Sequence, residues 1–535
     1  MSASVPASAS ASASASVPRS PRLVAEGFVQ ISSLAMLDRP RPIRTLLSFG
    51  FLTLSAAFYA SACGPAETEP PASTGGVDSA CVPSSAAGPI ASTCGFFASS
   101  STGSDDNAGS KEKPVQTLAK AIELAKGKNQ PVYACAETFA EALEVTEGVT
   151  IFGGLDCTAP EWAYVGATSK TVISPEADKV PLTIIAGEGT ARFEDITARA
   201  ADAVAPSGSS IAAIVDKASV ELVRCELIAG AGATGETGLQ PTDDVGPADP
   251  NDLAVRGNDG NNACMGGMDG NGGGEPKVNE KCAMSIGGKG GTGQELSGGN
   301  GEDGTPLPDP NPGTFGIGGI GAMGLNSCQS GQSGASGTEG LPGAGAQDLG
   351  TIDAKGYIGG VGQQGTPGTP GQGGGGGAAR GKLGCYGASG GSGGAGGCGG
   401  SGGLGGKGGG SSFAVLSVDG TLKLTDTKLI AGAGGKGGEG GSGQAGGIGG
   451  NGGNGGGPGP QVSPGCGGGP GGQGGIGGVG GGGRGGHSAA VAYKGAAPNL
   501  DGATPTIGAA GLGGVGPDMA STGAEGVASD VIEFK

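Results

Sequence analysis

From Ser389 onward the chain repeats one triplet without a break: Ser389, Ser392, Ala395, Cys398, Ser401, Leu404 and Lys407 are each followed by Gly-Gly. A strict period of three fits neither the 3.6 of an α-helix nor the 2 of a strand. It is the period of a polyproline-II-type helix, whose rise of ~3.1 Å per residue would carry these triplets over ~65 Å. Two of the three faces of such a helix are bare backbone, so neighbours can approach closely, and N–H and C=O groups that find no partner within one helix can pair between helices. Lys436, Glu439, Ser442, Ala445, Ile448, Asn451 and Asn454 keep the same phase, broken only at Gln444, and Pro470, Gln473, Ile476 and Val479 resume it. A flexible Gly-rich linker has the same composition but places no demand on phase. Both readings, ordered polyglycine-II packing and linker, stand on sequence alone.

Gly makes up 126 of 535 residues, against a usual ~7%. Aromatic residues are 4% and charged residues 15%, which excludes an ordinary compact enzyme along the whole length. Collagen is excluded as well, since 34 Pro fall far short of the ~15–20% that accompanies Gly-X-Y. The net charge of −18 argues against nucleic acid as a partner, because phosphate binding needs clustered Lys and Arg.

The basic residues gather near the start. Arg39, Arg41 and Arg44 precede an apolar run from Leu46 to Tyr59, then small residues lead to Cys63. This order is that of a signal peptide over 36–62, too short for a comfortable membrane span. Residues 1–35 then precede the functional start, as a gene-start error or an extension. Ala60-Ser61-Ala62-Cys63 resembles the lipobox of bacterial surface lipoproteins, with Ala60 where Leu is usual. The resemblance implies acylation of Cys63 and a membrane partner through that anchor, and Gly64 in place of Asp implies the outer membrane. Ala60-x-Ala62 also suits ordinary signal peptidase, which would leave the protein secreted or periplasmic. A Pro/Ser/Thr/Gly-rich linker occupies 63–93.

In an exported chain the twelve Cys default to disulfides. Local spacing suggests Cys81 with Cys94, Cys135 with Cys157, Cys264 with Cys282, and Cys385 with Cys398. Acylation of Cys63 would leave an odd thiol among the remaining eleven. With no C-x-x-C and a single His, a Cys/His zinc site is not expected.

Residues 94–126 read CGFFASSSTGSDDNAGSKEKPVQTLAKAIELAK, in which turn residues lead to an amphipathic helix with Leu118, Ala121, Ile122 and Ala125 on one face. The run resembles the opening of secreted right-handed parallel β-helix proteins, the pectin-lyase-like family, in which such a helix plugs the first coil. The resemblance implies an all-β solenoid and is silent on activity. Short β-branched strands follow at 132–135, 149–152, 171–173, 182–185 and 192–196. Ser209–Gly232 aligns without gaps on Ser411–Gly434 at an offset of 202, and a fainter copy starts at Ser488. The expected organisation is therefore β-helix over 94–232, a Gly-rich insertion over 233–410, a coil over 411–434, a second insertion over 435–486, and a last coil with the C-terminus over 487–535. Solenoid loops absorb insertions on one face.

In composition the insertions resemble the Gly-rich portion of the PE-PGRS proteins, without their PE domain; the resemblance implies surface display. Candidate chemistry is sparse. Glu194-Asp195, Asp216-Lys217 and Glu221, Arg224 and Glu226 are the charges of the predicted coils, expected on solvated strand faces. Paired carboxylates at repeated positions, which a glycosidase would need, are not evident, so no catalytic residue is assigned. Asp259 and Asp269 lie in an acidic, Gly-punctuated stretch that could offer oxygen ligands to Ca²⁺, although EF-hand and RTX spacings are missing and turn formation explains the stretch better. No other cofactor is implied. His487, flanked by Gly486 and Ser488, reads as a surface residue. The expectation is a non-catalytic exported surface protein with a structural, adhesive or matrix role, with polysaccharide or other surface proteins as partners. A carbohydrate-binding or polysaccharide-cleaving β-helix is the alternative, and a polyglycine-II surface binder a weaker one.

Overall fold

A computed structural model describes residues 77–86, 88–265, 270–307 and 313–535. It is nearly all-β, with one α-helix (α1, Leu118–Ala125) among the described residues. Three six-strand parallel arrays carry the order of the chain. The first sheet runs Phe96–Ala98, Val132–Cys135, Thr150–Asp156, Thr190–Glu194, Ser219–Val223, Thr421–Thr425, with Ala163–Tyr164 attached antiparallel at Thr150–Asp156. The second runs Thr138–Phe139, Thr171–Ile173, Ile196–Arg199, Glu226–Ala229, Thr427–Ala431, Ala503–Thr506. The third runs Leu143–Val145, Leu182–Ile185, Ser210–Asp216, Ser412–Val418, Ser488–Lys494, Ala528–Glu533.

The internal repeat is the strand register. Ser210 pairs with Ser412, Ser219 with Thr421 and Glu226 with Lys428, partners whose numbers all differ by 202. The fainter copy pairs Ser412 with Ser488 and Thr427 with Ala503, but it skips the first sheet. There Pro498, with no N–H to give a ladder, and the turn closed by Asn499 Oδ1 on the Asp501 N–H replace a strand.

Inward side chains of all three sheets form one core, with Phe193, Leu222 and Leu424 from the first, Ile196, Leu227 and Leu429 from the second, and Leu182, Val215, Val415 and Val491 from the third. Helix α1 lays Leu118, Ala121 and Ala125 against the first strands. Too short to hold alone, it is capped by Thr117, which accepts from the Lys120 N–H, and by Glu141, which accepts from the Leu118 and Ala119 N–H groups. The third sheet is apolar on both faces. Ile211, Ile214, Phe413, Leu416, Ala489 and Ala492 face outward into a second core under the hairpin Thr351–Asp353/Gly356–Ile358 and Phe534, which is why its strands read as continuous apolar runs while Thr421–Thr425 alternates.

The segment 192–196 expected as one strand is two. Asp195 at φ 56° turns the chain between Thr190–Glu194 and Ile196–Arg199, and Arg224 (52°) and Asp426 (47°) do the same after the next two strands of the first sheet. For Arg, a left-handed backbone costs roughly 1–2 kcal/mol.

The Gly-rich tracts leave the second sheet after Ala229, Ala431 and Thr506 and return to the third at Ser412, Ser488 and Ala528. Their exits stack, with Gly432 against Gly230 and Gly508 against Gly432. Ser210 Oγ accepts from the Gly230 N–H and Ser488 Oγ from the Gly508 N–H, while Ser412 Oγ between them is buried without a partner.

Outside the sheets the tracts form a slab of extended segments joined by backbone hydrogen bonds at a period of three. Gly390, Gly391 and Ser392 donate to Gly291, Cys466 and Asn258, and the next triplet, Gly393, Gly394 and Ala395, to Gly288, Gly469 and Val255. Three faces thus meet three different segments. The number of Gly per triplet follows the number of faces in backbone contact, a small Ser or Ala being accommodated on the third enclosed face as at Ser392 and Ala395. Within 373–377, five consecutive Gly are buried, and a Cβ at each would meet the carbonyl oxygens of Ile286, Gly469, Ile317, Lys289 and Cys466 at 1.9–2.1 Å. At the slab margin, only every third residue is Gly: Gly331, Gly334, Gly337, Gly340 and Gly343 donate to Gly467, Pro470, Gln473, Ile476 and Val479. In the second tract the non-Gly positions form two exposed rows, including Glu439, Ser442, Ala445, Asn451 and Asn454 in one and Pro470, Gln473 and Ile476 in the other. In the first tract, Ser389, Ser392 and Ala395 are buried beneath 255–261.

Candidate functional site

The charges of the first sheet do not lie loose on a solvated face. Register stacks Arg192, Glu221 and Lys423 in one column, and Glu221 is bridged by Arg192 at 2.5 Å and by Lys423 at 2.8 Å. Beside it, Glu194 binds Arg192 and Arg224, and Asp195 takes Arg224 through Nε (3.1 Å) and Nη2 (2.8 Å) and the Tyr164 hydroxyl (2.9 Å). Glu194 and Asp195 are buried, contrary to the expectation from sequence, because the left-handed turn at Asp195 carries its carboxylate back under the corner, where Arg224 and Tyr164 reach it. Burial opposes ionisation of Glu221, yet hydrogen bonds from Lys423 and Arg192 hold its carboxyl below the ordinary range. Hydrogen bonds to Asp195, resisted by burial and assisted by Glu194, push the Arg224 guanidinium up. On the second sheet Glu226 stands in register with Lys428 and pairs with it at 2.9 Å, and Lys170, just before the strand Thr171–Ile173, reaches Glu226 at 3.5 Å.

A shallow depression of about 390 Å³ lies over the column of the first sheet, lined by Val77, Val82, Thr150, Phe152, Thr190, Arg192, Glu194 and Glu221. Three carboxylates and three cations close the cluster on itself. Glycosidic chemistry needs one carboxyl able to give a proton and another free to attack or to activate water. Here each carboxylate is already held by a guanidinium or ammonium, so the arrangement suits holding adjacent strands together.

Asp259 is committed elsewhere: its Oδ1 accepts from Arg256 Nη2 (2.6 Å) and from the Asn454 N–H (2.8 Å). Asp269 lies outside the described residues. Around Asp259, Asp249 and Asp252 close turns on the N–H groups of Asn251 and Ala254, and Asp244 pairs with Lys281 at 2.6 Å. Among the described residues no group of three or more His, Cys, Asp or Glu is placed to hold a metal.

The cysteines divide by region. Cys81–Cys94 and Cys135–Cys157 are bonded as spacing suggested. The other two local pairs are not: Cys264 bonds Cys385, and Cys282 bonds Cys398. In the slab a residue's neighbours belong to segments laid beside it that are distant in sequence by very different amounts, as with Gln363 on Ala344, Gly391 on Cys466 and Ser392 on Asn258, so proximity in sequence carries no information about the partner. Cys328–Cys466 obeys the same rule. Cys225 is a free thiol buried in the core, and burial pushes it up to about 12. Cys63 lies outside the described residues.

His487 is buried, not on the surface. Its Nδ1 accepts from the Val527 N–H (2.8 Å), Nε2 faces the Leu349 carbonyl (2.9 Å), and Tyr357 and Phe534 pack edge-on at 5.5 and 5.8 Å. Burial lowers its pKa to about 4. The signal available in sequence was its phase: it immediately precedes Ser488, where the third-sheet register resumes.

Among the described residues no helix is long and apolar enough to cross a membrane. No protein-family model matches this chain, and neither a curated protein nor a solved structure does.

Proposed function

We propose that the three parallel sheets are the faces of one right-handed parallel β-helix, plugged by α1, that displays an ordered polyglycine-II slab on an exported, lipid-anchored surface protein with a structural or adhesive role. The carrying observation is the unbroken 202-residue register. Since coils pair across the insertions as if these were not there, the slab is an outgrowth from one corner. Handedness follows from the crossover rule for parallel strands. The cysteine arithmetic supports the anchor: ten of the eleven described cysteines are paired, and the eleventh, Cys225, is sealed in the core, which leaves Cys63 for acylation. Five disulfides also suit an oxidising compartment. Intact-mass measurement of the mature N-terminus tests the reading, with a diacyl- or triacyl-Cys63 expected. A mature chain that starts elsewhere, or an unmodified Cys63, overturns the anchor, and protection of the slab from protease on intact cells overturns display.

The depression over Arg192 and Glu221 favours a second reading, carbohydrate binding. A glycan-array signal lost in Arg192→Ala would establish it, and release of reducing ends would extend it to cleavage. Polymer or ice binding by the exposed slab rows is the third reading, and an ice-recrystallisation assay without effect disposes of the ice-binding form.

A further inference from the structure

At the end of the slab farthest from the sheets, three turns converge. Gly381 pairs in parallel with Met323 and bridges Gln294 in parallel, so the three strands share one register there. Two residues beyond each of these positions stands a leucine: Leu383, Leu325 and Leu296, exposed to 72%, 72% and 64%. Met323 beside them is 56% exposed. The turns are fixed from below, since Gly324 donates to Gly381, Gly298 to Ala322 and Lys382 to Gln294, and Cys264–Cys385 ties down the middle turn and Cys328–Cys466 the chain just after 322–326. A prearranged cluster of exposed leucines marks an interaction surface rather than incidental exposure.

We propose that this tip is a self-association surface through which two copies of the chain meet end to end about a two-fold axis. Charge selects the occupant. With a net charge of −18, two copies repel over most approaches, but the turns 294–298, 322–326 and 381–385 contain one acid, Glu295, and one base, Lys382. In an isologous contact residue i meets j and j meets i, so each Glu295 faces the second copy's Lys382 while the leucines pack between them. The apolar area at stake is on the order of 800–1,000 Å² for both copies, at the weak, transient end of specific interfaces. The contact stands on the tip geometry alone; a role in joining facing surfaces rests on the display reading above, and copies anchored in number would gain avidity from it.

Sedimentation velocity of the full chain from ~1 to ~200 μM tests the proposal, with a concentration-dependent monomer–dimer equilibrium expected. Leu296→Ser, Leu325→Ser and Leu383→Ser together should raise the dissociation constant at least ~10-fold. Glu295→Lys should weaken the dimer, and adding Lys382→Glu should restore it, a rescue that keeps the test decisive if the triple variant fails to fold. A monomer throughout the range, a dimer unchanged in both sets of variants, or tip-dependent binding to phosphatidylcholine vesicles without dimer overturns the proposal.

Discussion

The β-stack and the glycine slab are two answers to one problem, how a chain pairs its backbone away from water. In the stack, side chains such as Phe193, Leu222 and Val415 fill the space between three sheets, and burial of apolar surface at roughly 25 cal/mol per Å² drives assembly. In the slab, Gly371 and Gly373–Gly377 are buried with no side chain at all, so cohesion comes from backbone hydrogen bonds worth about 1 kcal/mol net each and from weaker Cα–H···O contacts. Ordering Gly costs more conformational entropy than ordering any other residue. The slab offsets that cost by cross-linking: three of the five disulfides join segments 116–138 residues apart within it, whereas the two elsewhere close separations of 13 and 22. The difference teaches that absence of side chains is a packing specification, provided every backbone group finds a lateral partner.

That contrast can be broken most sharply at Gly375. A Cβ there would sit 2.0 Å from the Ile317 carbonyl oxygen, and backbone on every side leaves no route for relaxation, so Gly375→Val should cost more than ~4 kcal/mol and strip amide-exchange protection from the slab while the sheets keep theirs. The reciprocal change in the stack, Phe193→Ala, leaves a cavity in a site that can partly collapse. A loss of about 3–5 kcal/mol in denaturant titration is expected, falling on the sheets. Replacing Cys282 and Cys398 by Ser should lower slab stability by about 2–4 kcal/mol, seen as earlier slab exchange with an unchanged signature from the stack; equal loss in both regions would show that they unfold as one unit.

His487 joins the two regions and supplies a pH test. Because burial lowers its folded-state pKa from 6.5 to about 4, the unfolded chain binds the extra proton first. The contribution of the neutral ring is whole above pH 6.5 and is lost as pH falls toward 4, by at most about 3 kcal/mol. Thermal unfolding of His487→Gln across that window should be flatter than that of the parent. The smallest effect belongs to the exposed row: Ala445→Ser should stay within about 0.5 kcal/mol, and a larger loss would mean that the row is enclosed.

Much of the stack was legible because its determinants are local. Leu118, Ala121 and Ala125 set the helix face, and the alternation of Val220 and Leu222 with Leu422 and Leu424 set register as well as strand identity. The X-Gly-Gly phase likewise revealed the period of the inner segments. The margin 329–346, with Gly only every third residue, uses the same geometry with most of its other side chains exposed, and its varied sequence concealed it. Partners across the slab, such as Cys282 with Cys398, depend on how segments are laid side by side, which no periodicity encodes. The closed cluster at Glu194 and Asp195 was hidden by a single backbone angle, and the Leu296, Leu325 and Leu383 tip by a register shared among three distant turns.

The faces of a slab segment recur every three residues, so its length has a natural unit of change. Adding or deleting one residue rotates every following side chain onto a neighbour's carbonyl oxygen, as the contacts of Gly373–Gly377 show, whereas a whole triplet returns each face to its own neighbour and displaces only the turn at the far end. Tracts of this kind can therefore lengthen or shorten across related genes in steps of nine nucleotides, carrying the tip outward or inward while the sheets beneath keep their pairing.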